Sequence, residues 1–155
     1  MRVAANEGGP GANVLLRFAN PLDPDHPLVQ GYVDRCLDSG TELRILPQNL
    51  YEFWVVATRP VANNGLGLST DECDQVLRSL EEMFPCLVDP SDLPDVWRKL
   101  VKQHGCRGKV AHDARLVAAF IGCQIRQIVT LNGLDFRRFE EIPTLDPRME
   151  TGLRT

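Results

Sequence analysis

Apolar and polar positions alternate between two rhythms along this chain. Leu50, Phe53, Trp54 and Ala57 fall at i, i+3, i+4 and i+7, and Leu93, Val96, Trp97, Leu100 and Val101 repeat that spacing. One face of a helix produces such a pattern. It predicts helices over 48–58, stopped by Arg59-Pro60, and from Leu93 until Gly105, with Asp92 as the cap. Ser69-Thr70-Asp71-Glu72 has the form of a capping box and starts a helix running to about residue 83. Further helices are predicted over 14–18 after an Asn13 cap, over 26–37 before Ser39-Gly40, and over 109–121, closed by Gly122. Short extended runs at 2–5, 43–46, 85–88, 127–131 and 142–145 read as strands. Asn132-Gly133 is a turn with one helical turn after it, 59–68 around Asn63-Asn64-Gly65 reads as a flexible loop, and the polar tail from Asp146 is expected to fray. Strands that alternate with helices imply an α/β fold: a mostly parallel central sheet with helices on both faces. Sites in such sheets gather at the carboxyl ends of the strands.

Composition narrows the function classes. The chain has 155 residues, 43% hydrophobic and 25% charged, which suits one globular domain and excludes a disordered chain or a disulfide-dense miniprotein. The net charge of −4 implies no broad basic field, so a nucleic-acid partner needs a local patch. Five cysteines without a CxxC pair argue against structural zinc, and no neighbouring feature marks one as a nucleophile. No apolar run approaches the roughly 18 residues of a membrane span, and the first residues lack a basic-then-apolar signal pattern. The expectation is a cytoplasmic protein with reduced cysteines and no membrane partner.

The informative residues are carboxylates among apolar neighbours. Glu52 lies on a helix that is apolar nearly all round, which predicts burial, and a buried carboxylate needs a partner. Asp113 lies on the same stripe as Leu116, Val117 and Phe120, near the amino end of its helix. Asp135 follows a strand end and its turn. Three acids converging from remote segments suit Mg²⁺ or Mn²⁺, ions that prefer oxygen ligands and that serve phosphodiester hydrolysis. The plainer alternative is that Glu52 and Asp113 pair with Arg115, Arg107 or Lys109.

Several blocks then resemble one family. Pro47-Gln48-Asn49-Leu50-Tyr51-Glu52-Phe53-Trp54, running on to Arg59-Pro60, resembles the second block of PIN-domain proteins. His112-Asp113-Ala114-Arg115-Leu116-Val117-Ala118 is similar to the third, and Thr130-Leu131-Asn132-Gly133-Leu134-Asp135-Phe136 to the fourth. Asn13-Val14-Leu15-Leu16-Arg17 matches the end of the first. The resemblance implies a PIN domain over 13–147, between an atypical Gly-rich segment (1–12, with a short first strand) and a polar tail (148–155). It implies a metal-dependent endoribonuclease of the virulence-associated protein C type, the toxin of a type II toxin–antitoxin pair. The expected partners are RNA, a cognate antitoxin and a second copy of the chain. Carried over by position, Glu52, Asp113 and Asp135 are the catalytic, metal-binding acids, and Asn132, standing where many relatives have a carboxylate, offers an amide oxygen.

The chain departs from that pattern at its first acid. Relatives close strand one with Asp, then Thr-Asn-Val-Leu; here Gly11-Ala12 precede Asn13, and alignment from residue 1 puts Asn6 at the Asp position with Glu7 next. Three readings follow. Glu7 replaces the lost acid, the site is catalytically inactive and binds without cutting, or the recorded start misassigns the reading frame. One missing charge weakens a site that must neutralise a dication. The alanines near residues 4 and 5 are poor strand formers, so strand one is expected to be the least stable part of the core. Arg59, Arg107, Lys109, Arg115, Arg137 and Arg138 are candidates to line an RNA path, Arg115 and Arg137 foremost. Trp54 and Trp97 are expected to pack in the core, and His26, His104 and His112 to cap or lie at the surface. A phospho-receiver-like signalling domain is a third class, weakened by the lack of an adjacent acidic pair closing the first strand.

Overall fold

The structure, a computed structural model, describes residues 2–4 and 14–149. Asn6, Glu7, the Gly-rich run, the Asn13 cap and the last six residues lie outside the described residues.

Four short strands form one parallel sheet. They are β1 (Arg2–Ala4), β2 (Leu43–Arg44), β3 (Gln127–Val129) and β4 (Thr144–Leu145), in the order β2-β1-β3-β4. β1 is central. Arg2 pairs with Leu43 on one side and Gln127 on the other, and Ala4 pairs with Val129. The strand expected to be weakest is thus the one that both neighbours need for their backbone hydrogen bonds. The run predicted as a strand over 85–88 is only a single bridge between Ile45 and Cys86. Pro85 has no N–H to donate, so the pairing is carried by Leu87 N–H to the Ile45 carbonyl at 2.8 Å and Ile45 N–H to the Pro85 carbonyl at 3.4 Å.

The helices follow the predicted order: α1 (Val14–Ala19), α2 (His26–Asp38), α3 (Pro47–Ala57), α4 (Thr70–Met83), α5 (Leu93–Gln103), α6 (Val110–Gly122) and the single-turn α7 (Gly133–Phe136). Neighbouring residues of β3 point to opposite faces. Val129 enters a core with Tyr32, Phe53, Leu80 and Phe84, contributed by α2, α3, α4 and the residue after α4. Ile128 enters a second with Leu100, Leu116, Phe120, Phe136 and Phe139, around α5, α6 and α7. Helices therefore cover both faces of the sheet, as the alternating pattern implies. Among the described residues no helix is long and apolar enough to cross a membrane.

Three local expectations are corrected. The loop after α3 is stapled to that helix: Leu66 and Leu68 donate to the Val56 and Ala57 carbonyls, and Gly67 donates to Arg59. A Cβ at Gly65 would lie 2.0 Å from the Arg59 carbonyl oxygen, so glycine alone permits this closure. Gly122 does not act as the left-handed stop of α6. Gln124 takes that conformation, at φ 57°, while Gly122 lets Pro90 approach to where a Cβ would be 2.5 Å away. The start of the tail is held, because the Arg148 guanidinium binds both the Asp146 carboxylate and the Leu131 carbonyl.

Candidate metal-binding acidic site

The site is built where the amino ends of α3 and α6 meet. Pro47 opens α3 at its first turn, and the Asn49 side chain accepts from the Leu46 N–H at 2.8 Å, fixing the entry angle. One turn on, Gln48 and Glu52 share a helix face. The Gln48 amide donates to Glu52 Oε1 at 2.8 Å and to the His112 carbonyl at 3.2 Å, which ties α3 to the first turn of α6 beside Asp113. Glu52 Oε2 is buried and has no hydrogen-bond partner among the described residues.

The helix is not buried all round. Tyr51 and Val55 are exposed, and Glu52 is half-buried between that exposed edge and the core. Burial is still the main reason its carboxyl is pushed up from 4.5 to about 7; the Gln48 amide opposes the shift, the Asp113 charge adds to it and Arg115 offsets part. Asp113 is likewise half-buried and raised from 3.8 to about 6, first by burial and then by Asp135, against His112, Lys109 and Arg138. Asp113 thus raises Glu52 and is itself raised by Asp135. Asp135, exposed on α7, accepts from the Asn132 side-chain amide at 2.7 Å. The nitrogen end of the Asn132 amide, not its oxygen, faces this acid.

The three acids predicted from sequence are therefore electrostatic neighbours in the order Glu52, Asp113, Asp135. They are not one coordination sphere: among the described residues no group of three His, Cys, Asp or Glu side chains is close enough to hold a metal ion. Neither Glu52 nor Asp113 forms an ion pair among the described residues, so the plainer alternative of pairing with Arg115, Arg107 or Lys109 is not realised. Arg115 instead reaches Asp89 Oδ2 at 2.7 Å and Gln48 Oε1 at 2.8 Å. Both terminal nitrogens are thus engaged within the protein. Arg137 and Arg138 are exposed beside Asp135. Gln48 and Asp89 escaped the sequence reading. The spacing of Gln48 four residues before Glu52 was an available signal; Asp89 meets Arg115 only through the fold.

The donor set fits a hard divalent cation held by one or two carboxylates and completed by water, the usual Mg²⁺ pattern. A buried carboxylate oxygen without a donor, next to a second carboxylate that repels it, is the arrangement a dication relieves. Beside the site, a cavity of about 620 Å³ is lined by Pro90, Leu93, Pro94, Trp97 and His112, with Asp89 and Arg115 at its wall. Trp97 packs there with its indole N–H on the Ala111 carbonyl at 2.8 Å. The cysteines are all unbridged, and burial raises the Cys73, Cys86 and Cys123 thiols, which opposes a nucleophilic role. His104, at the carboxyl end of α5, binds Glu141 at 2.8 Å and packs edge-on against Phe139, away from the acids.

The chain matches no protein-family model, and no curated protein matches it in sequence.

Proposed function

We propose that this protein is a divalent-cation-dependent endoribonuclease with a PIN-type fold. The observation that carries the reading is the repelling Glu52–Asp113 pair with Glu52 Oε2 buried and lacking a donor. The parallel strand order with β1 at the centre also supports it. Glu52 and Asp113 would hold Mg²⁺ or Mn²⁺, with Asp135 and Asn132 at the open side. The ion supplies Lewis-acid activation of water and charge neutralisation for attack on a phosphodiester. The chain's own part is to desolvate the two carboxylates and to present Arg137 and Arg138 to flanking phosphates. A role as the toxin of a toxin–antitoxin pair, a cognate antitoxin, a homodimer and a cytoplasmic location belong to the same reading.

A second reading is favoured by the missing third close ligand: a PIN-type fold that binds RNA or an antitoxin without cleaving. Incubation with RNA and Mg²⁺ or Mn²⁺ separates the two. Cleavage that falls about 100-fold or more in Glu52→Gln and Asp113→Asn supports the nuclease. Metal-independent RNA or antitoxin binding with no cleavage establishes the inactive fold.

A further inference from the structure

An arginine beside a buried glutamate ordinarily forms a direct ion pair with it. Here a neutral amide stands between them. A carboxamide has donors at one end and an acceptor at the other, whereas a guanidinium only donates. Arg115 Nη1 at 2.8 Å from Gln48 Oε1 therefore dictates which way the amide points. Its Nε2 must then face Glu52 Oε1, at 2.8 Å, and the His112 carbonyl, at 3.2 Å. Reversing the amide would set its oxygen against the carboxylate and its NH₂ against the guanidinium. Asp89 closes the chain by holding Arg115 Nη2 at 2.7 Å, and Pro90, packed on Gly122, anchors the segment that carries Asp89.

We propose that Asp89, Arg115 and Gln48 are positioning residues for Glu52: Asp89 clamps Arg115, Arg115 orients the Gln48 amide, and the amide holds Oε1 while keeping the guanidinium off the carboxylate, so that Oε2 stays available to a divalent cation. This rests on the metal-site reading above. The relay also ties α3 to α6 through the His112 carbonyl, and so sets the approach of Glu52 to Asp113. Outer partners of metal ligands commonly control affinity by about 10- to 100-fold.

The test uses the full chain, with Mn²⁺ as the probe. Paramagnetic resonance of free Mn²⁺ measures affinity, and NMR of the metal-free protein follows the Gln48 side-chain amide. The wild type is expected to bind Mn²⁺ and to show a Gln48 NH₂ pair protected from solvent exchange. Arg115→Lys keeps the charge but loses the fork, and should expose that pair and weaken Mn²⁺ binding about 10-fold or more. Gln48→Ala should weaken it comparably, and Arg115→Lys with Gln48→Ala should add little further, since both break one chain of contacts. Asp89→Asn, which keeps an acceptor for Arg115, should lose less than Asp89→Ala. Unchanged Mn²⁺ affinity in Arg115→Lys and Gln48→Ala, or an unprotected Gln48 amide in the wild type, overturns the relay and leaves the nuclease reading standing. A wild type that binds no Mn²⁺ overturns both.

Discussion

Glu52 shows how a single residue couples burial to chemistry. A carboxyl raised from 4.5 to about 7 keeps a proton in the folded chain that the unfolded chain has released. Between those values the folded state binds more protons, so stability must fall as pH rises through that window. Asp113, raised from 3.8 to about 6, acts in the same direction over a lower range. Discounted for partial exposure, the Glu52 contribution is of order 1–2 kcal/mol. In chelator, denaturant melts should show the protein less stable at pH 7.5 than at pH 5 by about that amount, and Glu52→Gln should flatten the difference. Excess Mn²⁺ at pH 7.5 should restore stability to the wild type more than to Glu52→Gln. The unusual residue was visible in the sequence, since an acid between Tyr51 and Phe53 is conspicuous. Its state was not, because burial depends on the chain that packs over Val56 and Ala57 while leaving Tyr51 and Val55 in solvent.

At the scale of elements, local chemistry predicts best where an element satisfies its own ends. α4 begins where expected because Ser69 Oγ accepts from Glu72 N–H at 3.2 Å and Glu72 returns a bond to Ser69 N–H at 2.8 Å. Ser69→Ala should destabilise the protein by about 1 kcal/mol, read as a shift in the urea midpoint with unchanged slope, whereas Ser79→Ala on the exposed face should move it little. Cys73 and Leu80 of that helix are buried, with Val76 and Leu77 half-covered, the stripe that a helix of this period presents to a core. Elements closed by distant partners were read less well. The 85–88 run has strand composition but meets a neighbour at one residue, and the loop after α3 looks flexible only until its bonds to Val56, Ala57 and Arg59 are seen. Gly122 has the composition of a helix stop, yet its role is set by Pro90, more than thirty residues earlier in the chain.

For the whole molecule, the two apolar cores lie on opposite faces of a sheet whose strands are only two or three residues long. The strands β2 and β3 are joined to each other through β1. The two tryptophans report on different faces: Trp54 packs at the first core and Trp97 at the second. Urea unfolding of Trp54→Phe and Trp97→Phe, each following the remaining tryptophan, should give each variant a transition that coincides with its own circular-dichroism curve. A fluorescence midpoint separated from the dichroism midpoint in either variant would mean that the faces unfold independently.

The order of strands and helices, the cap of α4 and the candidacy of Glu52, Asp113 and Asp135 were determined by the sequence itself. Each depends on interactions between residues within about four positions, or on an apolar period that any compact fold must bury. Only the tertiary structure decided the rest. It left Glu52, Asp113 and Asp135 as electrostatic neighbours without gathering them into one coordination sphere, and it joined Arg115 to both Asp89 and Gln48. Those outcomes depend on which segments lie side by side, and on the low-dielectric surroundings they create. Neighbouring sequence carries no record of either.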